Sequence, residues 1–139
     1  MLSSPFPRRM PASFTVDLAR RMVFSRGWGV LVDADLRQTR RGVRETPGFE
    51  PDFRQLYDFS EVTEVGLTTD GLQDIARHSP FSRNARRAVV VNSEVAFGMV
   101  RMYQILSGRE NWHFRIFRDR ESALEWLEDT STSPSRVTP

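Results

Sequence analysis

Residues 88–108 read AVVVNSEVAFGMVRMYQILSG. Ala88 to Val91 form a short, continuous apolar run bounded by polar chain, which suits a strand covered on both faces. Ser93 then stands where a helix needs its N-cap, and the helical pattern lasts until Ser107-Gly108, a helix-stop pair. A doubly covered strand feeding a helix is the repeating unit of α/β folds, so the flanks should carry more of the same.

Upstream, Arg54 to Phe59 (RQLYDF) reads as a strand. A helix from Thr69 to Ser79 follows it, with Leu72, Ile75 and Ala76 facing inward. Downstream, Trp112 to Arg118 (WHFRIFR) reads as another strand, and Asp119 caps a last helix whose Ala123, Leu124 and Leu127 form an apolar seam. Nearer the N-terminus, Phe14, Val16 and Leu18 alternate with polar residues, and the strand starting at Met22 completes a hairpin that ends at Gly27-Trp28-Gly29. Asp33 can cap a helix running to Glu45, which Pro47-Gly48 stops, with Leu36, Thr39 and Val43 as its inward seam. The order is β-β-α-β-α-β-α-β-α. The expected fold class is α/β, a single domain with a mixed, mostly parallel five-stranded sheet and about four helices.

The 139 residues fit one domain. Its expected limits are 13–129, between a flexible extension at 1–12 and a disordered tail at 130–139, TSTSPSRVTP, which lacks apolar surface to order it. All 20 basic residues are arginine, and 18 acids leave a net charge of only +2. Bulk charge therefore names no partner. No apolar run approaches the roughly 18 residues that cross a bilayer, so a cytoplasmic location without membrane insertion is expected.

Cysteine is absent, which excludes disulfides, thiolate nucleophiles and cysteine-bound zinc. His78 and His113 are the two histidines and sit in different elements, so no metal site is expected. The pairs Asp33/Asp35 and Asp70/Asp74 lie in the first turns of helices, where acids serve the helix dipole. There is no nucleophile elbow and no glycine-rich phosphate loop. No catalytic residue, cofactor or metal is assigned.

Two surfaces stand out. Arg37, Arg40, Arg41 and Arg44 fall on one side of the first helix, a patch for an anionic partner. Nucleic acid is not expected, because no aromatic platform interleaves these arginines. The helix after Ser93 is apolar nearly all round. With Val95, Met99, Met102, Tyr103 and Leu106 taken as its inward stripe, Phe97, Arg101, Gln104 and Ile105 form a candidate partner or self-association surface.

Three segments give the chain a resemblance to the SpoIIAA-like family, soluble bacterial relatives of STAS and CRAL-TRIO lipid-transfer domains. They are Tyr57 to Thr63 (YDFSEVT), Val95 to Tyr103 (VAFGMVRMY), and Ile116 to Asp119 with Ala123 to Leu127 (IFRD and ALEWL). The resemblance implies a small α/β sandwich whose STAS relatives act as protein-binding modules. Together with the missing catalytic constellation and the over-apolar helix, the expectation is a non-catalytic interaction module, with a second copy of the chain, giving a homodimer, as a candidate partner. The resemblance also makes Thr68 and Thr69 candidate phosphorylation sites, since some STAS relatives are switched at the start of this helix. The plain reading of either threonine is a helix N-cap. Small-ligand or lipid binding by CRAL-TRIO analogy is the alternative, and an enzyme of unknown type is another. A deep pocket lined by Asp58, Ser60 and Thr68 would favour the enzyme.

Overall fold

Leu56, Ala88 and Val90 are almost wholly shielded from solvent, because their strands lie side by side at the centre of one sheet. The computed structural model describes residues 12–108 and 113–129. Its elements are β1 (Ala12–Asp17), β2 (Met22–Val32), α1 (Asp33–Glu45), β3 (Arg54–Gly66), α2 (Thr69–Arg77), β4 (Arg87–Val90), α3 (Glu94–Ser107), β5 (Phe114–Phe117) and α4 (Arg120–Glu128). This is the expected order. Strand β1 opens at Ala12, one residue before the expected boundary, while 1–11 and 130–139 lie outside the described residues.

The five strands stand in the order β1-β2-β3-β4-β5. Strands β1 and β2 form an antiparallel hairpin, and every later pairing is parallel. Parallel neighbours need crossovers, and right-handed crossovers that advance in one direction place all their helices on one face. Helices α1, α2 and α3 accordingly pack on the face carrying Val23, Tyr57, Val89 and Phe114. Helix α4 alone packs on the other, through Ala123, Trp126 and Leu127 against Met22, Leu56, Ala88 and Val90.

Helix ends follow local chemistry. The side chains of Thr68, Ser93 and Asp119 accept from the backbone N–H groups of Gly71, Ala96 and Ser122, as N-caps should. Gly108 ends α3 in the left-handed conformation, with φ of 70°. Asp33 does not cap α1. Asp35 does that work by accepting from Val32 N at 2.8 Å, while the Asp33 carboxylate reaches across to Thr68.

Strand β2 does not stop at Gly27-Trp28-Gly29 but runs on to Val32, and β3 likewise continues past Phe59 to Gly66. Register shifts after Arg26 and after Gly29 accommodate the glycines, with Gly29 at a φ of 65°. The bulges bend the ladder without ending it.

Candidate functional site

Helix α3 buries Ala96, Met99, Val100, Tyr103 and Gln104, an i, i+3, i+4, i+7, i+8 set. This corrects the expected phase: Gln104 lies inside, and Val95 and Met102 lie outside. Burial of the Gln104 amide is tolerated because it donates to the Phe114 carbonyl at 3.3 Å and accepts from Arg101 at 2.7 Å. Phe97 is half-buried beneath the Arg118 guanidinium, 4.9 Å from its ring centroid. Of the expected surface residues Phe97, Arg101, Gln104 and Ile105, Ile105 is the one exposed large apolar side chain.

The outer face is a different stripe. Val95, Met102 and Ile105 are 62%, 48% and 52% exposed. With Gly98 they occupy positions 95, 98, 102 and 105, alternating steps of three and four, as along a coiled-coil seam. A side chain at Gly98 would meet nothing within 4 Å, so the helix backbone is open to close approach there.

The arginine patch on α1 divides. Arg40 reaches Asp74 on α2, to its carbonyl at 3.3 Å and its carboxylate at 3.4 Å. Arg44 donates to the His78 carbonyl at 2.9 Å. These two tie helices together, whereas Arg37 and Arg41 stay exposed without an ion pair among the described residues.

Thr68 is held on three sides. Its hydroxyl donates to Asp33 Oδ2 at 2.6 Å and accepts from Gly71 N at 2.9 Å, and its backbone N–H donates to Asp33 Oδ1. Thr69 opens the helix, exposed. Asp58 accepts from Ser60 N at 2.8 Å and pairs with Arg120 at 3.4 Å. Asp58 and Thr68 thus belong to separate hydrogen-bond sets and do not converge. His78 Nδ1 lies 2.9 Å from the Asp74 carbonyl at its helix end. Burial, helped by the charge of Arg86, lowers the pKa of His113. Among the described residues no three acids or histidines cluster to hold a metal.

Sequence reading missed a polar group under α1 and α2. Parallel register puts Gln55, Arg87 and Phe114 in one row across the helix-bearing face. Arg87 Nε donates to Gln55 at 2.9 Å, and its Nη1 donates to Tyr103 Oη at 2.7 Å and to Ser79 Oγ at 3.4 Å. Gln55 donates onward to Ser25 Oγ. The guanidinium is also caged by rings, 4.8 Å from Phe81, 5.4 Å from Tyr103 and 5.5 Å from Phe114. Arg87 and Tyr57 are each only 8% exposed. The Tyr57 hydroxyl makes no hydrogen bond among the described residues, and the nearby Thr39 hydroxyl donates to the Asp35 carbonyl. Burial pushes the Tyr57 phenol up to about 12; Thr39 and Arg87 offset part of the rise, and Asp35 adds to it.

The fold as a whole has a counterpart among solved structures. A crystal structure of an uncharacterized DUF3478-family protein from Shewanella loihica PV-4, described as having a SpoIIAA-like fold, superposes with a TM-score of 0.56. It covers 91% of this chain and 99% of that one, at 18% identity. The chain has a SpoIIAA-like fold. No protein-family model matches the sequence, and neither does any curated protein. Within this SpoIIAA-like fold the α3 stripe and the Arg87 group lie on opposite sides of one helix layer, the first facing out and the second facing the sheet. Among the described residues no helix is long and apolar enough to cross a membrane.

Proposed function

We propose that the chain is a non-catalytic, STAS-like protein-interaction module of the cytoplasm that docks through the outer face of α3 onto a second copy of itself. The observation that carries this is the exposed stripe at 95, 98, 102 and 105, which is complementary to itself when reversed. In an antiparallel pairing about a two-fold axis near residue 100, Met102 of each copy lies opposite Gly98 of the other, and Ile105 opposite Val95. Met102 faces the open Gly98 position at the centre, and the branched side chains of Ile105 and Val95 meet on either side of it, as knobs entering holes require. Apolar side chains of this size are more often covered than left wet along a continuous seam.

Two further features favour binding over catalysis. Two polar side chains near the ends of the parallel strands, Asp58 and Thr68, are engaged in structural hydrogen bonds. The strand order also never reverses, so the sheet lacks the switch-point crevice where open α/β folds place their ligands. Thr68 is poorly placed for a phosphoswitch, because a phosphate there would sit against the Asp33 carboxylate.

Sedimentation equilibrium tests the proposal. Met102→Glu with Ile105→Asp puts like charges into the seam on exposed positions, so the fold should survive. The parent is expected to sediment as a dimer, and the double variant as a monomer with unchanged far-UV circular dichroism. A monomeric parent, or a dimer that survives both changes, would overturn it.

A further inference from the structure

Two buried side-chain polar atoms lack a partner among the described residues, Tyr57 Oη and Arg40 Nε. Both belong to residues lining one cavity of about 50 Å³ between α1, the end of α2 and the sheet. Arg87 lines it as well. Among the described residues no carboxylate pairs with Arg87 and its Nη2 meets no acceptor. A guanidinium keeps its charge when buried, so it sits among rings and neutral acceptors without a counter-charge.

The chemistry of these three groups points one way. Arg87 Nη2 and Arg40 Nε only donate, and a neutral phenol also offers a proton. A visitor satisfying all three must bring acceptors and negative charge. Next to this cavity is a second, of about 60 Å³, sharing Tyr57, Arg87, Tyr103, Leu36 and Ile75 with it. Its remaining lining is apolar, from Phe59, Leu72, Val89, Met99, Val100 and Phe114. One lobe is donor-rich and cationic; the other is greasy.

We propose that these adjoining lobes bind a small monocarboxylate with a short apolar tail, its carboxylate received by Arg87 and Tyr57 and its tail by the lobe under α3. The size follows from comparison: an apolar cavity of about 150 Å³ takes a six-carbon ring, and lobes of about 50 and 60 Å³ are smaller than that together, so they hold a head group and a tail of about two carbons. A long lipid chain does not fit. The proposal stands on the cavity alone and is independent of self-association through α3.

Isothermal titration of the full chain with sodium propanoate tests it, with propanamide as the uncharged isostere and sodium dodecanoate as the long-chain probe. Propanoate should bind saturably, in about the millimolar range or tighter, and raise the melting temperature. Propanamide should bind about tenfold more weakly, because it brings no charge to Arg87. Tyr57→Phe removes one unpartnered hydroxyl, so it should fold as the parent does and bind propanoate several-fold more weakly. Arg87→Met should abolish binding; should it fail to fold, Tyr57→Phe decides. Absence of saturable propanoate binding overturns the proposal, as does unchanged affinity in Tyr57→Phe. Tighter binding of dodecanoate than of propanoate overturns the size assignment.

Discussion

Tyr57 carries an unusual burden for one side chain. Its ring stacks on Phe59 with centroids 4.3 Å apart, while its hydroxyl is enclosed without a partner. The phenol, ordinarily near 10, is pushed up to about 12, so the folded protein holds the neutral form more tightly than the unfolded chain does. A raised acid constant contributes stability that is complete below the unfolded value and disappears as pH climbs through the folded one. The window is therefore pH 10 to 12, and the loss should approach about 2–3 kcal/mol. Urea unfolding across that window should show the decline in the parent and a smaller one in Tyr57→Phe. Equal declines would mean that the phenol is not buried in this way. At neutral pH the variant should lose little stability, because the deleted hydroxyl made no hydrogen bond.

Elements meet closely where α1 crosses β1. A side chain carbon at Gly42 would lie 2.4 Å from the Phe14 ring, so only glycine permits this approach. Gly42→Ala should push the ring aside and cost about 1–3 kcal/mol in urea denaturation. Phe14→Leu, in the same background, should recover part of the cost; additive losses would contradict the contact. Helix C-termini show a second regularity. Arg44 donates to the His78 carbonyl that ends α2, Arg83 to the Ser107 and Gly108 carbonyls of α3, and Arg54 and Arg86 to Leu127, Trp126 and Asp129 of α4. Helices α3 and α4 have no basic residue in their own last turns, and these arginines supply the missing donors. The planar fork that serves two carbonyls at once gives the all-arginine composition a structural use. Element order was legible because the apolar period changes cleanly at Ser93 and at Asp119. Strand ends were not, since β2 and β3 outrun their apolar runs as a bulged ladder held by backbone bonds. The phase of α3 was misjudged at Gln104, because hydropathy does not register the Phe114 carbonyl that makes its burial tolerable. The Arg87 group was hidden for a related reason: its members lie at 25, 55, 57, 79, 87 and 103, and parallel register aligns the strand residues while helix packing brings in Ser79 and Tyr103.

At the scale of the molecule, one sheet separates two unequal layers. Three helices cover one face, and α4 alone covers the other, chiefly over β3, β4 and β5 with Met22 of β2 at its margin. The arrangement follows from a strand order that advances without reversal, and it leaves α3 as the outermost helix over the β5 edge. A net charge of +2 gives little electrostatic barrier to meeting another copy. The seam at 95, 98, 102 and 105 is thus the feature on which the functional account turns. Because the chain has no cysteine, introduced thiols report on that seam without background. The most direct measurement mixes a Gly98→Cys chain with an affinity-tagged Met102→Cys chain under mild oxidation and compares their disulfides with those of an Arg37→Cys control. Antiparallel docking predicts that the mixed 98–102 disulfide forms fastest and dominates. Cross-linking no faster than the control, or a preference for like-with-like pairs, would contradict it.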